Sequence, residues 1–262
     1  MDTARVMLRT VGTMLRLGMR REMAYAVDVV LRLVGGALEF AVVLLFFRIV
    51  FVTAGGPGGW SFPAVAVVAA VAETVTLLFD SFLAGVEDLP GYVLDGSLDR
   101  LLLIPAPTLA VLSLSRIRWN LLPELLLPLA AIIWGATRLS GSAGGLHWGA
   151  FLVVLAAALV IRWSVSLSLV AASLVAVRAD ALVYFVREVL GLSRYPSSVF
   201  GGLWSVVVVV IPIAFLGNVP AAALSGGGTA EVVLTAVAVA VGWAALAVLS
   251  FRWWLRHYRG VA

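Results

Sequence analysis

The chain has 262 residues, of which 63% are hydrophobic and 12% charged, with a net charge of +4, no Cys, and Arg as its only basic residue apart from two His. An ordinary soluble domain is excluded by that balance, as are disulfides, thiolate metal sites and a thiol nucleophile; without Lys no GxxxxGK[ST] phosphate loop can exist. A bilayer core takes about 20 apolar residues per helix, so this length holds several spans and no large soluble domain.

Residues 1–22 come first. Arg5, Arg9, Arg16 and Arg20 share one helical arc and Met7, Val11, Met14 and Gly18 the other side, a pattern that predicts an amphipathic helix lying on membrane lipids. Six apolar runs follow, at about Leu33–Val52, Pro63–Val86, Trp119–Thr137, Trp148–Val177, Val199–Gly217 and Glu231–Trp254. The connections TAGGPGGWSF, RLSGSAGGLH and NVPAAALSGGGTA hold a single basic residue, Arg138, whereas the opposite set holds Arg100, Arg116, Arg118, Arg178, Arg187, Arg194, Arg252, Arg256 and Arg259. By the positive-inside rule the Arg-rich side is cytoplasmic, with both termini on it, as expected of a multi-pass protein of the bacterial inner membrane. The basic residues flank spans and form no aromatic-interleaved patch, so nucleic acid is not an expected partner. The fold class expected is all-α: one polytopic membrane domain over residues 1–262, with an interfacial helix and about six spans.

Glu39, Arg48, Glu73, Asp80, Glu124 and Arg162 fall inside or near spans, where a charge at the bilayer centre costs about 2.5 to 3.5 kcal/mol. Glu39, Glu73 and Arg162 are candidates for a polar substrate path; the plainer alternative pairs these groups between helices or lets them snorkel to the headgroups. Asp80 and Arg48, nearest the predicted span ends, have the weakest claim. Pro123, Pro128 and Pro212 are candidate kinks.

Two cytoplasmic segments follow the second and fourth spans, over residues 87–107 and 178–197. The first, EDLPGYVLDGSLDRLLLIPAP, is too short and too charged to span. It presents Asp95 and Asp99 to water and must bury Leu98, Leu101 and Leu102 against something, for which a second protein would serve. Glu87, Asp88, Asp95 and Asp99 read as a partner-facing surface rather than a divalent-metal site, since no further acidic motif accompanies them, and His147 and His257 stand alone. The second segment has Arg187 and Glu188 on a polar face and Leu182, Phe185, Val186 and Val189 on an apolar one.

Gly96, Leu98, Asp99, Leu102 and Pro105 form G-x-L-D-x-x-L-x-x-P; LSRYPSSVF with Tyr195 and Pro196, IPIAFLGNVPA with Pro212 and Pro220, and FRWWLRHYRG with Tyr258 follow in order. Taken together these blocks resemble the permease subunits of ABC type-2 transporters, in the branch that includes daunorubicin-resistance-like exporters. The resemblance implies a permease that pairs with a second permease, identical or not, and engages a cytoplasmic ABC ATPase. The coupling residues it implies are Gly96, Leu98, Asp99, Leu102, Pro105, Arg187 and Glu188. ATP and Mg would be bound by the partner, with no cofactor and no catalytic residue in this chain. An ion-driven secondary transporter using Glu39 or Glu73 as proton carriers is the alternative reading, and a lipid transferase using Asp95 and Asp99 is a third.

Overall fold

The computed structural model describes residues 26–54, 60–104, 106–139, 145–174, 180–200 and 211–258; helices dominate and no strand occurs among them. In chain order these are α1 (Ala26–Ala54), α2 (Phe62–Phe82), a 3-10 turn (Ala84–Asp88), and three short helices, α3 (Leu89–Leu94), α4 (Ser97–Leu102) and α5 (Thr108–Ser113). A 3-10 stretch (Trp119–Leu125) then leads into α6 (Leu126–Leu139), followed by α7 (Gly145–Val170), α8 (Asp180–Gly191), α9 (Asn218–Ala222) and α10 (Ala230–His257). Among the described residues, five stretches are long and apolar enough to cross a bilayer: α1, α2, the 3-10 stretch with α6, α7 and α10. The chain is an all-α polytopic membrane protein. The predicted interfacial helix over residues 1–22, together with Pro105, Arg178 and Arg259, lies outside the described residues.

Local chemistry sets the helix ends. Ser61 caps α2 by accepting the Ala64 N–H, and Pro63 sits in the first turn, where its missing N–H costs nothing. Thr229 caps α10 through the Val232 N–H, with Glu231 in the first turn and Arg256 and His257 in the last, each on the favourable side of the helix dipole. Pro123 cannot donate to an α-helical ladder, and the third span accordingly starts as a 3-10 stretch and becomes α-helical only at Leu126.

α2 is the most buried of these spans, and α6 and α7 pack against it, with α10 against α7. One end of the bundle holds Phe40, Val67, Ile132, Phe151 and Leu224, with Trp60 and Trp148 against them; the other holds Phe79, Leu89, Leu98, Leu167 and Phe251, with Trp254 and Tyr258. We call these the Trp60 end and the Leu98 end. Outward faces of α1, α6 and α10 expose Leu38, Phe46, Ile133, Val241 and Leu249, the surface a lipid solvent requires.

α7 and α10 run in the same direction. Gly228 approaches Ala150, Ala236 and Ala240 share a core with Val154 and Ala158, and Ala247 and Phe251 share one with Leu167 and Leu174. The chain between them must therefore travel back from the Leu98 end to the Trp60 end. It does so in pieces. α8 packs against α7, and the 3-10 turn Leu192–Arg194 that follows it packs against α2, the Ser193 carbonyl abutting Gly217 next to Ala72; α9 with the turn Ala223–Gly227 completes the ascent, Ala221 and Leu224 joining the Trp60-end core. The break lies at mid-height, where Asn218 accepts the Ser197 N–H at 2.9 Å and donates to the Tyr195 carbonyl at 3.2 Å. The predicted fifth span, Val199–Gly217, falls largely on residues 201–210, outside the described residues. Non-helical backbone at such depth is tolerated where protein or a polar cavity satisfies its polar groups, and Asn218 does so here.

Candidate functional site

Glu73, Asp80 and Glu87 stand seven residues apart, and so do Arg187 and Arg194. Glu73 and Asp80 are about two turns apart on one face of α2, with Glu87 in the 3-10 turn beyond its end; Arg187 is on α8, with Arg194 in the 3-10 turn Leu192–Arg194 that follows it. α2 descends toward the Leu98 end while α8 climbs away from it, and the opposed sets meet: Arg194 lies 3.0 Å from Glu73, and Arg187 lies 2.6 Å from Glu87 and 3.6 Å from Asp80. Arg194 also reaches Glu39 of α1 at 3.2 Å. Glu87 is nearly enclosed and additionally accepts the Ser166 hydroxyl of α7 at 3.2 Å. Glu73, Glu87, Arg187 and Arg194 are thus offset by opposite charges at short range, without which burial would cost several kcal/mol per ion.

Glu39, Glu73, Asp80, Arg187 and Arg194 line a polar cleft of about 410 Å³ among α1, α2, the Trp119–Leu125 stretch, α7 and α8. Arg162 of α7 forms its floor, buried, with its guanidinium over the Phe79 ring at 4.9 Å. Arg118 contributes from the chain before the third span, and burial, with Arg116 beside it, pulls its guanidinium below the usual arginine range. A second polar cleft of about 540 Å³ adjoins the first through Arg118 and Arg187 and reaches Asp88 and Arg116, themselves paired at 2.7 Å. A polar tract therefore runs from mid-bundle to the segment at the Leu98 end.

That segment is built for anchorage on one side and display on the other. Asp95 ends α3 and accepts both the amide and the hydroxyl of Ser97, bonds that hold its carboxyl below the usual carboxylate range. Gly96 between them has φ +68, a left-handed conformation that strains residues with a Cβ, and it starts α4. Leu98 is fully buried among Phe79, Leu89, Leu112 and Phe251, which corrects the expectation that a second protein covers it: this chain's own core does. Leu102 is half-buried against the same core, while Leu94, Asp95, Asp99, Arg100 and Leu103 are exposed on the outside. The segment is tied to α7 by Trp163 Nε1 donating to Ser113 at 2.9 Å and by Ser166 on Glu87, and to α8 by Arg187 on Glu87. Gly85 sits against the Leu112 carbonyl so closely that a Cβ would collide with it.

The structure brings the two groups of sequence-predicted residues together. Glu39, Glu73 and Arg162, read as a substrate path, share the cleft with Arg187 and Glu188, read as coupling residues; Arg187 is turned onto Glu87 and Asp80. In α8 the buried positions are Val186 and Leu190, and Phe185 is exposed, so the predicted apolar face is divided between core and exterior; the Leu182 side chain and Pro105 lie outside the described residues. Asp80, given a weak claim on sequence position, lines the cleft, and Arg194, assigned to a cytoplasmic loop by its charge, reaches the twelfth residue of α2 at mid-height. The shared seven-residue spacing of Glu73, Asp80 and Glu87 and of Arg187 and Arg194 is the signal that would have found both.

No curated protein and no solved structure matches the chain. Residues 37–261 match the family described as ABC-2 family transporter protein. A multi-pass helical bundle, a broken return crossing beside a polar cleft, and a family match over nearly its whole length together place the chain in the ABC-2 family of transporter proteins.

Proposed function

We propose that the chain is the permease of an ATP-driven exporter, whose cytoplasmic ABC ATPase docks on the exposed strip formed by Leu94, Asp95, Asp99, Arg100 and Leu103. The observation that carries this reading is the mechanical linkage of the segment: Leu98 seats it in the core, while Glu87 holds it to Arg187 of α8 and Ser166 of α7, two walls of the polar cleft. A force applied to the strip reaches the cleft through these contacts, and a two-state change in the ATPase biases the cleft between arrangements of α7 and α8 relative to α2. ATP and Mg reside in the partner; this chain supplies the path. A second permease, identical or homologous, completes the transporter in the bacterial plasma membrane, with the Leu98 end in the cytoplasm, an orientation supported by the Arg-rich connections at that end. Within the family, the G-x-L-D-x-x-L-x-x-P block supports the daunorubicin-resistance-like branch.

The test is a photo-crosslinking residue placed at Leu103, with one at Leu98 as the control, in cells of the native host. Leu103 is 83% exposed and Leu98 fully buried. Capture of a Walker-containing ATPase from position 103 and not from 98 is expected, and transport in vesicles should stop without ATP yet survive collapse of the proton gradient. Crosslinks that never contain an ATPase, or transport that follows the proton gradient, overturn the proposal.

A further inference from the structure

Arg162 is a cation the bundle leaves without an anion. It is 3% exposed, no carboxylate oxygen among the described residues lies within 4 Å of it, and its Nε has no hydrogen-bond partner. Among the described residues its guanidinium has one close partner, the face of Phe79. A buried, unpaired guanidinium is costly, and the nearby acids lie against other arginines: Glu87 against Arg187, Glu73 and Glu39 against Arg194, and Asp80 more loosely at 3.6 Å from Arg187. Asp80 and Glu87 attract Arg162 only at longer range. Arg118 repeats the pattern, lining the same cleft with a buried Nε that has no acceptor. The other three arginines of the cleft are taken, Arg32 by Asp28 and Arg187 and Arg194 as described.

A guanidinium presents its donors as a planar fork matched to the paired oxygens of a phosphate or carboxylate, and such charge-assisted bonds are the strong ones. The cleft around Arg162 has the volume for such a group, and Glu124 and Glu188 at its other walls would turn away a bare polyanion with no cationic or neutral portion to face them. We propose that the floor of the cleft is an oxyanion site, in which Arg162 is the primary ligand for a phosphate or carboxylate group and Arg118 a second cation. The site names the chemical class of the cargo and so rests on the permease reading of the cleft.

Purified full-length chain is titrated with phosphatidic acid and with phosphatidylcholine of identical acyl chains, bound lipid being counted by native mass spectrometry; inorganic phosphate is tested separately by thermal shift. The wild type is expected to take up phosphatidic acid at about tenfold lower concentration than phosphatidylcholine, the scale of one charge-assisted contact. Arg162→Gln removes that preference, Arg118→Gln reduces it, and Arg162→Lys retains part of it. Stabilisation of the wild type by inorganic phosphate that is absent in Arg162→Gln, without a lipid preference, supports the same site with a free anion as occupant. Equal uptake of both lipids with no effect of phosphate overturns the proposal, as does a preference that Arg162→Gln leaves intact. If Arg162→Gln fails to fold, Arg162→Lys and Arg118→Gln carry the same comparison. Because no ATPase is present in this measurement, its failure leaves ATPase capture at Leu103 untouched, and failure of that capture leaves the lipid comparison standing.

Discussion

Replacing Arg194 by Met removes the cation that holds Glu73 and Glu39 together at mid-bundle. Glu39 is 64% exposed at its side chain and loses little, whereas Glu73 is 16% exposed and is left as an uncompensated carboxylate. Two unit charges 3.0 Å apart attract by about 5.5 kcal/mol at an effective dielectric constant near 20, and desolvation of the two groups cancels much of this. Breaking such a pair from one side is expected to cost about 3 kcal/mol. Arg194→Met paired with Glu73→Gln should recover most of that loss, leaving a coupling energy of about 1–3 kcal/mol in a double-mutant cycle. The assay is reversible unfolding of the detergent-solubilised chain, followed by Trp fluorescence. Additive single-mutant effects, with no recovery in the double variant, would refute the pairing of Arg194 with Glu73.

Two further predictions concern the segment at the Leu98 end. Leu98→Ala should destabilise by about 2–5 kcal/mol, as for a fully buried core leucine, whereas Leu103→Ala, on the exposed strip, should change stability by less than about 0.5 kcal/mol while weakening ATPase capture; comparing their unfolding midpoints separates anchor from display. Gly96→Ala forces a Cβ into a left-handed conformation at an otherwise open position and is expected to cost about 1–2 kcal/mol, read as faster amide hydrogen exchange in α4.

Much of this molecule follows from one-dimensional information, because a bilayer imposes a length on every apolar run and a side on every flanking arginine. The five described spans fall where hydropathy puts them, and Ser61 and Thr229 begin two of them for reasons legible in the caps alone. Sequence alone leaves Glu39, Glu73 and Arg162 either lining a polar path or pairing between helices, since a charge at that depth requires company; the fold places all three on one cleft, with Glu39 and Glu73 paired to Arg194. Partners were not legible. Seven-residue spacing is visible among the acids of one segment and the arginines of the other, but only the opposed directions of the two segments in the fold bring Arg194 to Glu73 and Arg187 to Glu87. Hydropathy likewise cannot say what covers an apolar side chain outside a span. On sequence alone Leu98 calls for a covering surface that a second protein would serve, and the fold supplies Phe79, Leu112 and Phe251 instead, leaving Leu94 and Leu103 as the outward face. The broken return crossing is decided by tertiary structure for the same reason: the parallel run of α7 and α10 forces an ascent between them, and apolarity along the chain carries no record of direction. Chain composition sets which residues must leave water, and the packing of distant helices sets which of them meet.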